Sequence, residues 1–297
     1  SVGILWWKGR RDLSAERDPS FGVSSSLWDV ATEKYPSAEP SEVETVLDLD
    51  LWAYLGQHQA SAGITVPLED LDAGLEVLEE VVFHPTFPGS DIKLDRQETL
   101  RWYTTLGPAS AREVVGNAMT YAWNPPDHPY GWRPDLPAYQ KVKRKAVVSA
   151  WERAIQQGPV TLLVAGDLDW EAIAPQLKQR FGTLGKAGER SEVLDMSVPT
   201  ADRVVAVAMP EASQVTLRVR IPAPNRHDAR HGPMAAVAYA LGGHFLARLN
   251  KNLREDKGWT YGVGAWYSAG DKQGSFNVAV DVPADKLAPA VVEIEKE

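Results

Sequence analysis

Two stretches of this chain, 216 positions apart, spell the same sequence of elements. Thr65–Val81, TVPLEDLDAGLEVLEEV, and Asp281–Glu297, DVPADKLAPAVVEIEKE, each read as a strand end, a Val-Pro step, an acidic cap and an apolar helix. Proline donates no N–H and has a fixed φ, so it ends a strand, and the acidic residues after it suit the electropositive start of a helix. The strand, loop and helix of Ser1–Ala31 recur at a similar offset in Gln214–Leu241. A period this long marks a duplicated domain, because solenoid repeats run about 20–50 residues. Duplicated domains are therefore expected. Residues 1–187 form the first copy, 188–201 a linker, and 202–297 the start of the second. The first copy continues through helices to the strand VTLLVA, whereas the second stops inside a helix. An incomplete second copy within a longer polypeptide is expected; a shorter second domain is the alternative.

The periodicities fill in this frame. Leu71, Leu75, Leu78 and Val82 share one face of a helix over Leu68–Phe83. Val2–Trp7 and Ser61–Val66 read as strands, Gly22–Ala31 as a short helix, and Asp169 caps a helix running to Phe181. Val160–Ala165 is continuously apolar, which predicts a strand buried on both faces. Further strands are expected at Val204–Ala208 and Gln214–Ile221. A hairpin follows, whose second strand turns Phe276, Val278, Val280 and Val282 inward and Ser275, Asn277 and Asp281 outward. Two hundred and ninety-seven residues suffice for two cores. There is no cysteine, which excludes disulfides and thiolate metal sites. Lys and Arg number 31 against 40 Asp and Glu, a net charge of −9, which argues against nucleic acid as a partner. No apolar run is long enough to span a bilayer. The reading is of a soluble chain whose compartment the residues do not specify.

The chemistry concentrates in Leu241–Ala265, LGGHFLARLNKNLREDKGWTYGVGA. Leu241, Phe245, Leu249 and Leu253 recur every four residues, predicting one helix with an inward apolar face and an end near Gly258. Thr260–Ala265 then reads as a strand whose glycines let another backbone come close. Arg254 and Tyr261 flank the turn between them. Two readings stand on these residues. A guanidinium and a phenol aimed at one point make a donor pair for a carbonyl oxygen that becomes negative during reaction. Alternatively, Arg254 pairs with Glu255 or Asp256 and Tyr261 is a half-buried strand aromatic. Nearby, His227-Asp228-Ala229-Arg230-His231 has the spacing of a zinc-binding HExxH helix with Asp in place of Glu. Prolines 222, 224 and 233 flank it and apolar periodicity is missing, so a loop is expected there.

The pattern LGG-x-F-x-x-RL-x-x-x-LRE-x-KG-x-x-YG resembles the second-domain signature of the insulinase/pitrilysin family of zinc peptidases. HPTFP at 84–88, HPYG at 128–131 and VAGDLDWEAIAPQLKQRFG at 164–182 resemble its first-domain landmarks. The resemblance implies α+β domains with mixed β-sheets flanked by helices, two per half, and halves closing around a chamber. It implies that Arg254 and Tyr261 contact the substrate carbonyl. The family's inverted motif, H-x-x-E-H, binds zinc from the first helix of a first domain. Here that helix reads SSSLWDVA, with no histidine and the single carboxylate Asp29, and Glu98 falls out of register for the distal glutamate. The expectation is a half without a metal site, hydrolysing peptide bonds with zinc and base supplied by a homologous half, fused or separate. The alternatives are an inactive structural or peptide-binding paralogue, and a self-sufficient enzyme using His227 and His231.

Overall fold

The computed structural model describes residues 1–9, 18–36, 39–56, 58–124, 128–131, 135–156, 158–185 and 202–297; the expected linker at 188–201 lies outside them. Strand β1 (Val2–Trp6) buries Val2, Ile4 and Trp6 in alternation, so one face lies on the core. Helices α1 (Ser20–Ser26) and α2 (Glu39–Leu47) lead to strands β2 (Asp50–Leu55) and β3 (Ala60–Thr65). After Pro67 comes α3 (Leu71–Phe83), then α4 (Gly89–Arg101), α5 (Ala111–Trp123), α6 (Arg144–Ile155), β4 (Val160–Val164) and α7 (Trp170–Phe181). The later part holds β5 (Val215–Ala223), α8 (His231–Gly242), a π-helix at Asn250–Asp256, β6 (Val263–Ala269), β7 (Gly274–Val282) and α9 (Leu287–Lys296).

Contacts divide the chain into two units, Ser1–Arg101 with Arg133–Glu192, and Trp102–Trp132 with Val193–Glu297. Residues 102–132, which a boundary drawn along the sequence assigns to the first domain, belong to the second unit. The first unit is built on a sheet of order β2-β3-β1-β4 with α1, α3, α6 and α7 packed on it, and Trp6 and Trp28 meet at its centre, 5.6 Å between rings. The second is built on the sheet β5-β7-β6.

The two sheets repeat one register. Ile64 of β3 stands between Val2 and Leu51; Val280 of β7, 216 positions on, stands between Leu217 and Val263. Pro67 (φ −52°, ψ 148°) and Pro283 (φ −55°, ψ 148°) then take the same conformation, each followed by a 3₁₀ turn and a helix. The repeated Val-Pro-acidic sequence is a repeated strand–turn–helix. The first sheet has a fourth strand, β4, beside β1, and the described residues place no strand at the matching edge of β5.

Three expectations change. Neither sheet is mixed: every described pair is antiparallel. The helical connection does return β2 parallel to β1, and β6 parallel to β5, but β3 or β7 lies between them, so parallel neighbours never touch. Strand β4 is an edge strand rather than buried on both faces, and Leu163 is 56% exposed. An apolar run does not say whether a strand has two neighbours. Val204–Ala208 lies outside any described strand, with Val204 97% exposed.

The HPTFP loop has a physical reason. Phe87 is buried with φ +46°, a conformation costing a bulky residue about 1–3 kcal/mol. Arg144 donates to the carbonyls of Thr86 (2.7 Å) and Phe87 (3.1 Å), and Phe87 packs near Trp151, 6.0 Å away, so the turn is held by later chain.

Strand β2 is also an edge, and its outward N–H groups are taken by side chains. Ala53 donates to Asp29 Oδ2 (3.1 Å) and Leu55 to Ser25 Oγ (3.0 Å). Burial pushes the Asp29 carboxyl above its ordinary range, and the Ala53 N–H offsets this in part. Native Asp29 therefore binds its proton more tightly than the unfolded chain does. Stability from this group is lost as pH rises through the native pKa and recovered as pH falls. Asp29→Asn keeps the acceptor for Ala53 without the charge. We expect it to unfold at higher urea than the parent at pH 7, with the difference closing below about pH 4.

Candidate active-site half

Helix α8 ends where its backbone meets the edge of β6. A Cβ on Gly242 would lie 2.4 Å from the Ala265 nitrogen, and one on Gly243 would lie 2.6 Å from the Tyr239 Cα. This close approach requires the LGG triplet and stops α8 at Gly242. The single helix expected from Leu241 to Gly258 is therefore two pieces, α8 and the π-helix. Leu249 and Leu253 are fully buried, as the four-residue period predicts, whereas Phe245 is 56% exposed because it falls in the turn between the pieces.

Asn250, a residue that periodicity does not single out, organises the segment from α8 to β6. Its side chain is buried; Oδ1 accepts from Val263 N (3.0 Å), the first residue of β6, and Nδ2 donates to His244 O (3.1 Å). One residue thus clasps the end of the α8 turn, the π-helix and the start of the strand. Asn252 donates to Glu293 (2.9 Å) and Glu297 (2.8 Å), tying the same π-helix to α9. These bonds, with Lys257 beside Glu293, hold both carboxylates below their ordinary range. Asparagine inside an amphipathic pattern reads as surface, so the sequence hides both residues.

Arg254 lies on this π-helix with its guanidinium 4.2 Å from the Phe245 ring, so the misplaced aromatic serves as its platform. Its ion pair is with Glu255, 3.4 Å from Nε, as the alternative reading expected. The π-helix closes through Gly258 at φ +64°, with Gly258 N donating to Arg254 O (3.0 Å) and Trp259 N to Leu253 O (2.9 Å). Thr260 then pins a tight turn: its Oγ1 donates to Gly262 O (2.9 Å) and accepts from Gly262 N (3.2 Å). Tyr261 sits at the tip, 91% exposed, and precedes β6 rather than lying in it. Among the described residues no hydrogen bond or ring contact joins Tyr261 to Arg254.

The other sequence candidates have structural roles. His227-Asp228-Ala229-Arg230-His231 is a turn entering α8, with only His231 helical. His227 Nε2 lies 3.6 Å from Asp271, His231 packs against Tyr267 (5.6 Å), and Arg230 grips Asp228, holding its carboxyl at about 2. His128 accepts from Tyr130 N (3.2 Å) within the HPYG turn. At the first-domain helix, Ser25 and Asp29 are occupied on β2 and Ser26 bonds Asp95, so these side chains do not fit zinc. Among the described residues no three His, Asp or Glu side chains converge as a metal requires.

The family model described as the peptidase M16 inactive domain matches residues 141–297. The chain belongs to this family. The M16 inactive-domain chain is 24% identical over 276 residues to an uncharacterised zinc protease of Mycobacterium leprae, covering 91% of this chain and 61% of that protein. It therefore spans about three fifths of the length of the curated relatives it matches. Its fold is shared with a protease from Helicobacter pylori (TM-score 0.79, 16% identity, 99% of this chain and 74% of that one). It is shared too with a peptidase M16 inactive domain from Pseudomonas fluorescens (TM-score 0.76, 15% identity, 99% and 72%). The α+β frame accords with an M16 inactive domain. No helix among the described residues is long and apolar enough to cross a membrane.

The clasp predicts a measurable cost. Asn250→Ala leaves the buried Val263 N–H and the His244 carbonyl without partners, and should destabilise the second unit by about 1–3 kcal/mol in urea unfolding. An unchanged midpoint would show that water replaces the side chain.

Proposed function

We propose that this chain is the non-zinc half of an M16 metallopeptidase, contributing Arg254 and Tyr261 to peptide-bond hydrolysis whose zinc and base reside on a homologous half, in the same polypeptide or in another chain. The observation that carries this reading is the placement of Tyr261. A phenol held 91% exposed on a turn fixed by two hydrogen bonds contributes little to its own core, and its rigidity suits it to meet another surface. Arg254, propped on Phe245 and paired among the described residues only with partly exposed Glu255, is one exchange of partner away from a substrate oxygen. Phe245 and Leu246 add exposed apolar surface beside it, where a peptide or the opposing half would exclude water.

In this mechanism the two donors bind the scissile carbonyl weakly in the ground state and strongly once its oxygen carries negative charge. A fixed donor of this kind contributes about 2.7–4 kcal/mol to the transition state. The π-helix sets the Arg254 backbone and the Thr260 turn sets that of Tyr261, so neither element must reorganise during the reaction.

Reconstituted with its zinc-bearing half, the chain should lose about 10²–10³ in kcat with Arg254→Ala or Tyr261→Phe. KM should change much less, because the lost interactions belong to the transition state. Tyr261→Phe keeps the ring, so its effect isolates the hydroxyl; Arg254→Lys keeps the charge but loses the planar fork. If kcat stays within about twofold for both removals, far from the loss such donors give, the pair is structural and a peptide-binding paralogue is the better reading.

A further inference from the structure

The second sheet has one face on its core and another turned to α5, a helix of the same unit. Between α5 and that face lies a trough of about 590 Å³, a volume in the range of ligand sites. It exists because the sequence leaves it unfilled. Gly262, just before β6, and Gly264 within it contribute to the floor and β7 contributes Ala279, while Gly116 faces them from α5. A Cβ on Gly116 would meet nothing within 4 Å, and one on Gly264 nothing nearer than 3.9 Å. A floor of glycines along a strand is where a second backbone can lie close, and Trp266 forms an apolar wall beside it.

The charges in the trough are unequal in their commitments. Arg218 is engaged: its Nη1 donates to Leu217 O (2.9 Å) and lies 3.5 Å from Asp281. Arg220 is not. Its Nε donates to Asn277 Oδ1 (3.0 Å) and its guanidinium lies over the Trp123 ring (5.5 Å). No carboxylate among the described residues comes within ion-pair distance of it. Burial pulls the Arg220 pKa down, with no acid to offset the effect. Asn277 is itself buried and fixed, its Nδ2 donating to Ser275 O (3.2 Å) and Oγ (3.1 Å), so its Oδ1 is aimed at Arg220. With Nε taken, the two terminal nitrogens remain as a fork that matches one carboxylate. A half-buried cation without a counter-charge is costly, and a ligand carboxylate removes that cost.

We propose that this trough binds an extended peptide segment through an acidic side chain, with Arg220 as the carboxylate partner, Asn277 orienting it, and Gly262 and Gly264 admitting the peptide backbone. That the ligand is a peptide rests on the peptidase reading above. The floor begins at Gly262, next to Tyr261, so a segment held here lies along the same strand that follows the donor turn. The lining carries Arg112, Arg218 and Arg220 against Glu113 and Asp281, three positive charges to two negative, so one carboxylate balances it and a doubly charged phosphate exceeds it.

The test reads binding by the chain alone, without turnover, so its failure is distinct from failure of the donor pair. A dye-labelled, acetylated and amidated alanine-glycine octapeptide with one central glutamate is compared with its glutamine twin by fluorescence anisotropy at low salt. We expect the glutamate peptide to bind about tenfold more tightly, and Arg220→Met to erase that preference. Gly116→Leu, which puts a better helix former into the trough, should weaken both peptides. If circular dichroism shows that Arg220→Met does not fold, Arg220→Lys replaces it: loss of the fork should cut the preference severalfold. Equal binding of the two peptides overturns the proposal. So does a preference that survives the Arg220 variant, unchanged affinities in Gly116→Leu, or displacement of the probe by inorganic phosphate at lower concentration than by the glutamate peptide.

Discussion

A sheet must satisfy the N–H groups on its outer strands, and this chain meets that requirement twice with different chemistry. At the corresponding edges, β2 and β6, the N–H groups would otherwise offer a template to any passing strand. On β2 the acceptors include Ser25 and Asp29, from the helix and turn that precede α2, and Glu44 of α2, which accepts from the Leu51 N–H. On β6, Asn250 takes the N–H of Val263, which corresponds in register to Leu51, and α8 presses a glycine backbone against Ala265. What each edge recruits decides what its neighbouring segment can do.

In the first unit the recruitment is complete. Ser25 and Ser26 of α1, with Asp29 of the turn after it, are spent on β2 and on Asp95. Those side chains serve the fold. In the second unit a single asparagine does the capping, and the rest of its π-helix is released for other contacts: Asn252 to α9, Arg254 to the Phe245 platform. The clasp sets Arg254 and the strand start in one rigid piece, with the Thr260 turn projecting Tyr261 between them. A duplicated frame thus caps one edge with a serine, an aspartate and a glutamate, and the other with an asparagine that joins the segments carrying Arg254 and Tyr261, the residues proposed as donors.

Much of this frame is legible in the residues. Pro67 and Pro283 fix where two strands stop, and the acidic residues after them fix where two helices start, because φ restriction and helix-end charge are local effects. The alternation Val278, Val280, Val282 gives the core face of β7 for the same reason. The misreadings share a cause. Val160–Val164 has the composition of a central strand, but a strand's neighbours are chosen by topology. Phe245 keeps the four-residue period of its helix, but the period carries no mark that the helix breaks at Gly242, where the obstacle is a backbone atom 23 residues on.

The sequence by itself determined where two strands end at a Val-Pro step and two helices begin after it, 216 positions apart, because proline geometry and helix-end charge are local. The α+β class, and Arg254 and Tyr261 as the residues of interest, came from the family resemblance that the motifs carry. Only the tertiary structure decided that Tyr261 stands exposed on a pinned turn, that Phe245 lies beneath Arg254, that Asn250 joins the segments, and that residues 102–132 belong with the second unit. It alone showed Arg220 with no carboxylate among the described residues at ion-pair distance, in a trough floored by glycines. These depend on which groups meet across long stretches of chain, and a buried polar atom's partner is chosen by geometry that no local pattern encodes.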